Sequence, residues 1–168
     1  FAVDLQPLPE DKGSAKGLEQ VEFLLASNPG EALRPLAKIA SGGELSRIML
    51  ALKALQVKQR GAGTVIFDEV DTGVGGHTAA AVGARLARVA AQQQVLCVTH
   101  LHQIAALADR QLSVSKEVTK GRTRIRVRPL ETEERVEELA RMLGASPSSE
   151  SVKEHVRSLM NLHVAEVP

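Results

Sequence analysis

The chain contains no tryptophan, no tyrosine and three phenylalanines in 168 residues. Single-stranded nucleic acid is often held by stacking bases on aromatic side chains, and that mode is disfavoured here. Cysteine is almost as scarce: Cys97 stands alone in the apolar run Val95-Leu96-Cys97-Val98. It reads as a small buried hydrophobe rather than a reactive thiol. With one thiol no disulfide can form within the chain, which fits a reducing, cytoplasmic setting. No apolar stretch reaches membrane-spanning length and no charged-apolar-small leader opens the sequence, so no membrane association is expected. Neither sign of charge prevails: 21 Lys and Arg against 20 Asp and Glu leave a net charge of +1. No global field therefore draws the chain to nucleic acid or lipid. Finally, no stretch fits the phosphate-gripping pattern G-x-x-x-x-G-K-[ST].

The length suits a single domain, 1–168, with a real core. Residues 1–8 alternate weakly and 18–26 carry Val21, Phe23 and Leu25 at period two, which predicts two strands joined by a polar loop over 9–17. Ser27-Asn28-Pro29-Gly30 reads as a turn. Leu45, Ile48, Met49, Leu52 and Leu55 recur at helical spacing and predict a helix from Glu44 to about Gln59, ended by Gly61-Ala62-Gly63. Val65–Phe67 and Val95–Val98 are short continuous apolar runs, the pattern of strands covered on both faces of a parallel sheet. Alanine-rich 78–91 between them reads as a helix. Farther on, Leu112–Lys116 and Arg122–Arg128 predict a hairpin turning at Gly121. Two helices follow. Thr132 is the expected cap of the first, Gly144 its end, and Val136, Leu139, Ala140 and Leu143 its inner face. The second begins near Ser149 with Val152, Val156, Leu159 and Met160 inward. Strand and helix alternate in the middle, so the fold class is α/β with a mainly parallel sheet flanked by helices, plus antiparallel hairpins.

Three places carry possible chemistry. The run Thr64-Val65-Ile66-Phe67 ends in Asp68-Glu69, which sets two carboxylates at the carboxyl edge of the sheet, where open α/β folds bind ligands. One carboxylate there can hold a divalent cation and the other can activate water; the same pair could equally begin a solvated loop. Ser41-Gly42-Gly43-Glu44 opens the predicted helix. Its glycines admit close backbone approach, and a helix N-terminus favours an anion. An ordinary helix cap would look much the same. His100 follows the second buried run and falls at the same sheet edge if the strands are parallel neighbours; it could meet a phosphate or be structural.

Taken in order, these segments resemble the ABC-type ATPases. Ser41-Gly42-Gly43-Glu44 is similar to their signature motif, Thr64–Glu69 to the Walker B strand, Asp71-Thr72-Gly73 to the D-loop and His100 to the switch histidine. Transport cassettes usually follow the two carboxylates with Pro-Thr; here Val70-Asp71-Thr72-Gly73-Val74-Gly75-Gly76 follows. With Asn28-Pro29-Gly30-Glu31, Leu36–Arg47 and Thr99-His100-Leu101, the sequence closely resembles the RecN family, SMC-like ATPases of bacterial DNA double-strand-break repair and recombination. The likeness is dense over about 20–115. One departure is His102, where the family pattern has proline, which puts the turn behind His100 in doubt.

The resemblance implies a C-terminal ABC ATPase head lobe whose Walker A companion lies before a long coiled coil, so that this chain is a separated lobe. It implies ATP and Mg²⁺: Asp68 toward the metal, Glu69 as base or water-positioner, and His100 at the γ-phosphate. Ser41, Gly42, Gly43 and Glu44 would be presented to ATP on a second head, and Asp71 would bridge the two heads. The implied partners are the N-terminal lobe, a second head in an ATP-bound homodimer, and DNA. A lobe lacking Walker A should hydrolyse almost no ATP alone. Other readings are a head of another SMC or ABC ATPase, and a non-catalytic module that uses the fold only to dimerise. Independently of any family, Arg122, Arg124, Arg126 and Arg128 share one face of a strand. That face either grips a phosphate backbone, or blocks edge pairing and meets acidic neighbours such as Glu131, Glu133 and Glu134.

Overall fold

The computed structural model describes residues 1–9, 12–13, 15, 17–26, 28, 30–38, 41–55, 63–119, 121–145 and 149–166, with side chains through 161 except that of 119. Part of the expected 27–30 turn, the end of the first helix with Gly61 and Ala62, residues 39 and 40 of the Leu36–Arg47 segment, and Lys120 lie outside the described residues.

Strands β1 (Ala2–Pro7) and β2 (Glu19–Leu25) form the expected hairpin, with Leu5 opposite Val21 and Val3 opposite Phe23. A two-residue strand β3 (Arg34–Pro35) extends it, and a 3₁₀ turn over Leu36–Lys38 leads on toward helix α1 (Gly42–Leu55). Next come β4 (Thr64–Phe67), α2 (Gly76–Ala90) and β5 (Gln94–Cys97). β4 and β5 pair in parallel, Val65 beside Val95 and Phe67 beside Cys97, so both strands end at one edge. The α/β class holds, with the parallel portion confined to this pair among the described residues; the other two sheets are antiparallel.

The four-residue helix α3 (His102–Ala105) was not legible as periodicity, yet it joins the two cores. Ile104 belongs to a cluster with Leu50, Phe67, Val70, Val82, Leu86 and Val89. Ala105 and Ala106 belong to a second, with Val136, Leu139, Ala140 and Val156. Gly83 of α2 permits the joint: a Cβ there would stand 2.7 Å from Leu107 Cδ1. His102 is the first residue of α3, a position where proline is favoured because its N–H lacks a helical partner, so histidine in its place keeps the turn.

The second hairpin, β6 (Leu112–Thr119) and β7 (Arg122–Pro129), turns at Gly121 with φ 73°. Helices α4 (Thr132–Met142) and α5 (Glu150–Glu166) close the chain. The cap of α4 is Glu131, not Thr132: the Glu131 N–H donates to Glu134 Oε2 at 2.9 Å, the reciprocal half of a capping box one residue earlier than expected. Its end is a Schellman motif at Gly144, φ 74°, with the N–H groups of Ala145 and Gly144 donating to the carbonyls of Ala140 and Arg141. No described helix is long and apolar enough to cross a membrane.

Candidate functional site

The parallel register carries Asp68 and Thr99 to the same edge, and the segments after β4 and β5 meet there. Asp68 and Glu69 are both exposed. The chain reverses immediately: Asp68 Oδ1 accepts the Glu69 N–H at 2.9 Å, and the Glu69 carbonyl accepts the Thr72 N–H at 3.0 Å. Glu69 has φ 58°, in the left-handed region that non-glycine residues rarely adopt. These hydrogen bonds and the packing of α1 hold it there.

Helix α1 is fastened to that turn through three backbone carbonyls. Ser46 Oγ donates to Asp68 O at 2.7 Å, and Arg47 Nη1 donates to Thr72 O at 2.8 Å and Val70 O at 3.4 Å. Gly43 is buried against the turn: a Cβ on it would stand 2.9 Å from both Glu69 O and Thr72 Cβ. A Cβ on Gly42 would collide with the Glu69 carboxylate. Gly43 is thus required sterically by the backbone of the carboxylate turn, whereas at Gly42 the Glu69 side chain could swing aside. Ser41 caps α1, its Oγ accepting the Glu44 N–H at 3.2 Å. A cleft of about 450 Å³ runs beside this junction, lined by Gly42, Leu45, Met49, Ile66, Asp68 and Glu69 among others.

Asp71 turns inward and only 3% of it is exposed. Its Oδ2 accepts the Thr99 hydroxyl at 2.6 Å and the His100 N–H at 2.9 Å, and lies 3.0 Å from His100 Nδ1. Burial pushes the carboxyl up, but the Thr99 hydroxyl, the His100 N–H and the imidazole together outweigh it and hold Asp71 below the ordinary 3.8. Thr99 Oγ1 in turn accepts the Leu101 N–H at 3.0 Å. The His100 ring is 74% exposed beyond this anchor. Burial, then the nearby Asp71 and Asp68, push the Cys97 thiol up to about 11, so it stays protonated as an inert hydrophobe should.

The structure therefore brings Ser41–Glu44, Asp68, Glu69, Asp71 and His100 to one edge. It adds Ser46, Arg47 and Thr99, which the sequence shows without marking their roles; a polar residue just before His100 at a strand end was the only signal for Thr99. Among the described residues no group of three or more His, Cys, Asp or Glu could hold a metal. Asp68 is an exposed carboxylate at this edge.

No family model matches the chain. A solved structure from work on ATP-driven dimerization and DNA-stimulated activation of SMC ATPases matches with a TM-score of 0.52 at 22% identity, covering 84% of this chain and 81% of that one. The fold is accordingly of the SMC ATPase class. Sequence identifies the branch. The chain is 50% identical over 146 residues to the DNA repair protein RecN of Halalkalibacterium halodurans, covering 87% of this chain and 26% of that protein. It is 46% identical over 145 residues to RecN of Bacillus subtilis, covering 86% and 25%. Against RecN of Deinococcus radiodurans it is 50% identical over 149 residues, covering 88% and 26%. The chain belongs to the RecN family, whose C-terminal part it matches, and it spans about a quarter of the length of these relatives.

Proposed function

We propose that this chain is the C-terminal lobe of an ATPase head and works in DNA double-strand-break repair and recombination. The observation that carries the reading is the clasp between α1 and the Asp68–Thr72 turn. It fixes an exposed helix cap, two carboxylates and the His100 segment as one rigid edge in a RecN relative. Asp68 would hold Mg²⁺, which would neutralise charge on the phosphates of ATP. Glu69, in a left-handed backbone conformation just past β4, would orient or deprotonate the attacking water. His100 reaches the γ-phosphate. Ser41, Gly42, Gly43 and Glu44 face an ATP held by a second head, with the α1 dipole behind them. The exposed D-loop residues Thr72 and Gly73 would carry contact across the heads; Asp71, which the resemblance cast as the bridge, is buried against Thr99 and His100 and would hold the loop from within. Phosphoryl transfer needs positioning and electrostatics more than covalent help, so a lobe without a phosphate loop is silent alone.

An N-terminal Walker A lobe of the same protein is the first partner. Exposed apolar side chains support such a partner: Ile66 in the cleft with Leu96 beside it in the sheet, and Val114, Val118, Ile125 and Val127 on the second hairpin. A second head, DNA and a cytoplasmic, nucleoid-associated location complete the reading.

The test is Glu69→Gln in the complete protein. Hydrolysis should fall about 10²- to 10⁴-fold while ATP binding persists and the heads stay paired, seen by size exclusion with ATP. Normal hydrolysis by that variant sinks the assignment.

A further inference from the structure

We infer that Asp71 is a positioning residue for His100: it fixes which ring nitrogen carries the proton and so which nitrogen is offered to the nucleotide. The inference rests on the proposed role of His100 at the γ-phosphate. Three groups converge on one oxygen, Asp71 Oδ2: the Thr99 hydroxyl at 2.6 Å, the His100 N–H at 2.9 Å and His100 Nδ1 at 3.0 Å. The first two are donors and hold the segment after β5 against the turn after β4. The third approaches without the alignment of a hydrogen bond, and the carboxylate charge 3.0 Å away favours a proton over a bare lone pair on that nitrogen. The proton therefore sits on Nδ1 whether the ring is neutral or charged. Nε2, on the far side of a ring that is 74% exposed, is left to face solvent or ligand.

The same arrangement ties His100 to the carboxylates. Asp71 lies two residues beyond Glu69, in a turn whose carbonyls at Val70 and Thr72 are gripped by Arg47. Hydrogen bonds thus link α1 to the turn that carries Glu69 and, through Asp71, to His100. Thr99 supports this by a double duty: it donates to Asp71 and accepts from the Leu101 N–H at 3.0 Å, which blocks rotation of the loop about His100.

The experiment uses the full-length protein with Asp71→Asn, His100→Ala and the double variant. Asparagine keeps an acceptor for Thr99 and the His100 N–H while removing the charge that holds the Nδ1 proton. Asp71→Asn should lower kcat about tenfold or more with little change in KM, as for other outer partners of a working histidine. The double variant should be no worse than His100→Ala, because Asp71 acts through the ring. Equal kcat for Asp71→Asn and wild type, or losses that simply add, overturns the inference. If His100→Ala itself leaves hydrolysis intact, it is the proposed role of His100 that fails. Nitrogen-15 spectra of labelled wild type above the imidazole titration range give a readout independent of any variant's folding. A proton on Nδ1 supports the inference, and a proton on Nε2 overturns it.

Discussion

Glu69 shows how a single residue is set for a task by its neighbours. Its left-handed backbone is unfavourable for any side chain but glycine, and it persists because Asp68, Thr72 and the Gly43 backbone enclose it. Gly43→Ala is accordingly expected to push that turn away and to cost about 1–3 kcal/mol in urea denaturation; an unchanged midpoint would mean that the turn yields freely. The carboxylates and glycines were legible in the sequence because their order and spacing are local. The inward turn of Asp71 was not, since it depends on Thr99 and His100, which no local pattern links to it. Nor was the left-handed φ of Glu69, because nothing in the residue type announces it.

At the scale of elements, α1 and the turn after β4 behave as one body joined by Ser46 and Arg47. Arg47→Ala removes a charged donor from two carbonyls and should destabilise the fold by about 1–2 kcal/mol, read by thermal or urea unfolding. The long elements were legible because apolar residues recur over many positions; α3 was not, because four residues show no period. The α4 cap shifted by one residue because Glu134 reaches back to Glu131, an arrangement that outweighs the better intrinsic preference of threonine. On β7, Arg128 pairs with Glu134 at 2.6 Å and Arg126 lies 3.7 Å from Glu117. Their charge is partly answered within the chain, which favours a role in protecting the hairpin face over a grip on DNA. Converting Arg126 and Arg128 to Gln should leave the salt dependence of DNA binding by the full-length protein unchanged. A slope shallower by about one or two would instead place phosphates on that face.

For the molecule as a whole, stability should peak between roughly the ordinary values of its histidine and thiol. Burial, aided by His155, holds His102 below 6.5. The native state thus binds fewer protons there than the unfolded chain, and stability falls as pH drops through and below 6.5. Asp71, held below 3.8, and Glu138, held below 4.5 chiefly by its hydrogen bond to Arg141, extend the loss at still lower pH. Cys97, raised from 9.0 to about 11, acts at the other end: only the unfolded thiol ionises above 9.0, so stability falls as pH rises past it. Unfolding free energies measured across this range check the shape, and His102→Gln should flatten the first acid-side fall.

The most direct test of the central claim is ATP hydrolysis by this chain alone, and then after adding a separately made N-terminal lobe, with wild type and Glu69→Gln side by side. The account predicts no hydrolysis alone, activity on mixing, and loss of that activity with Glu69→Gln. Robust hydrolysis by the chain alone, or activity on mixing that Glu69→Gln leaves intact, would contradict it.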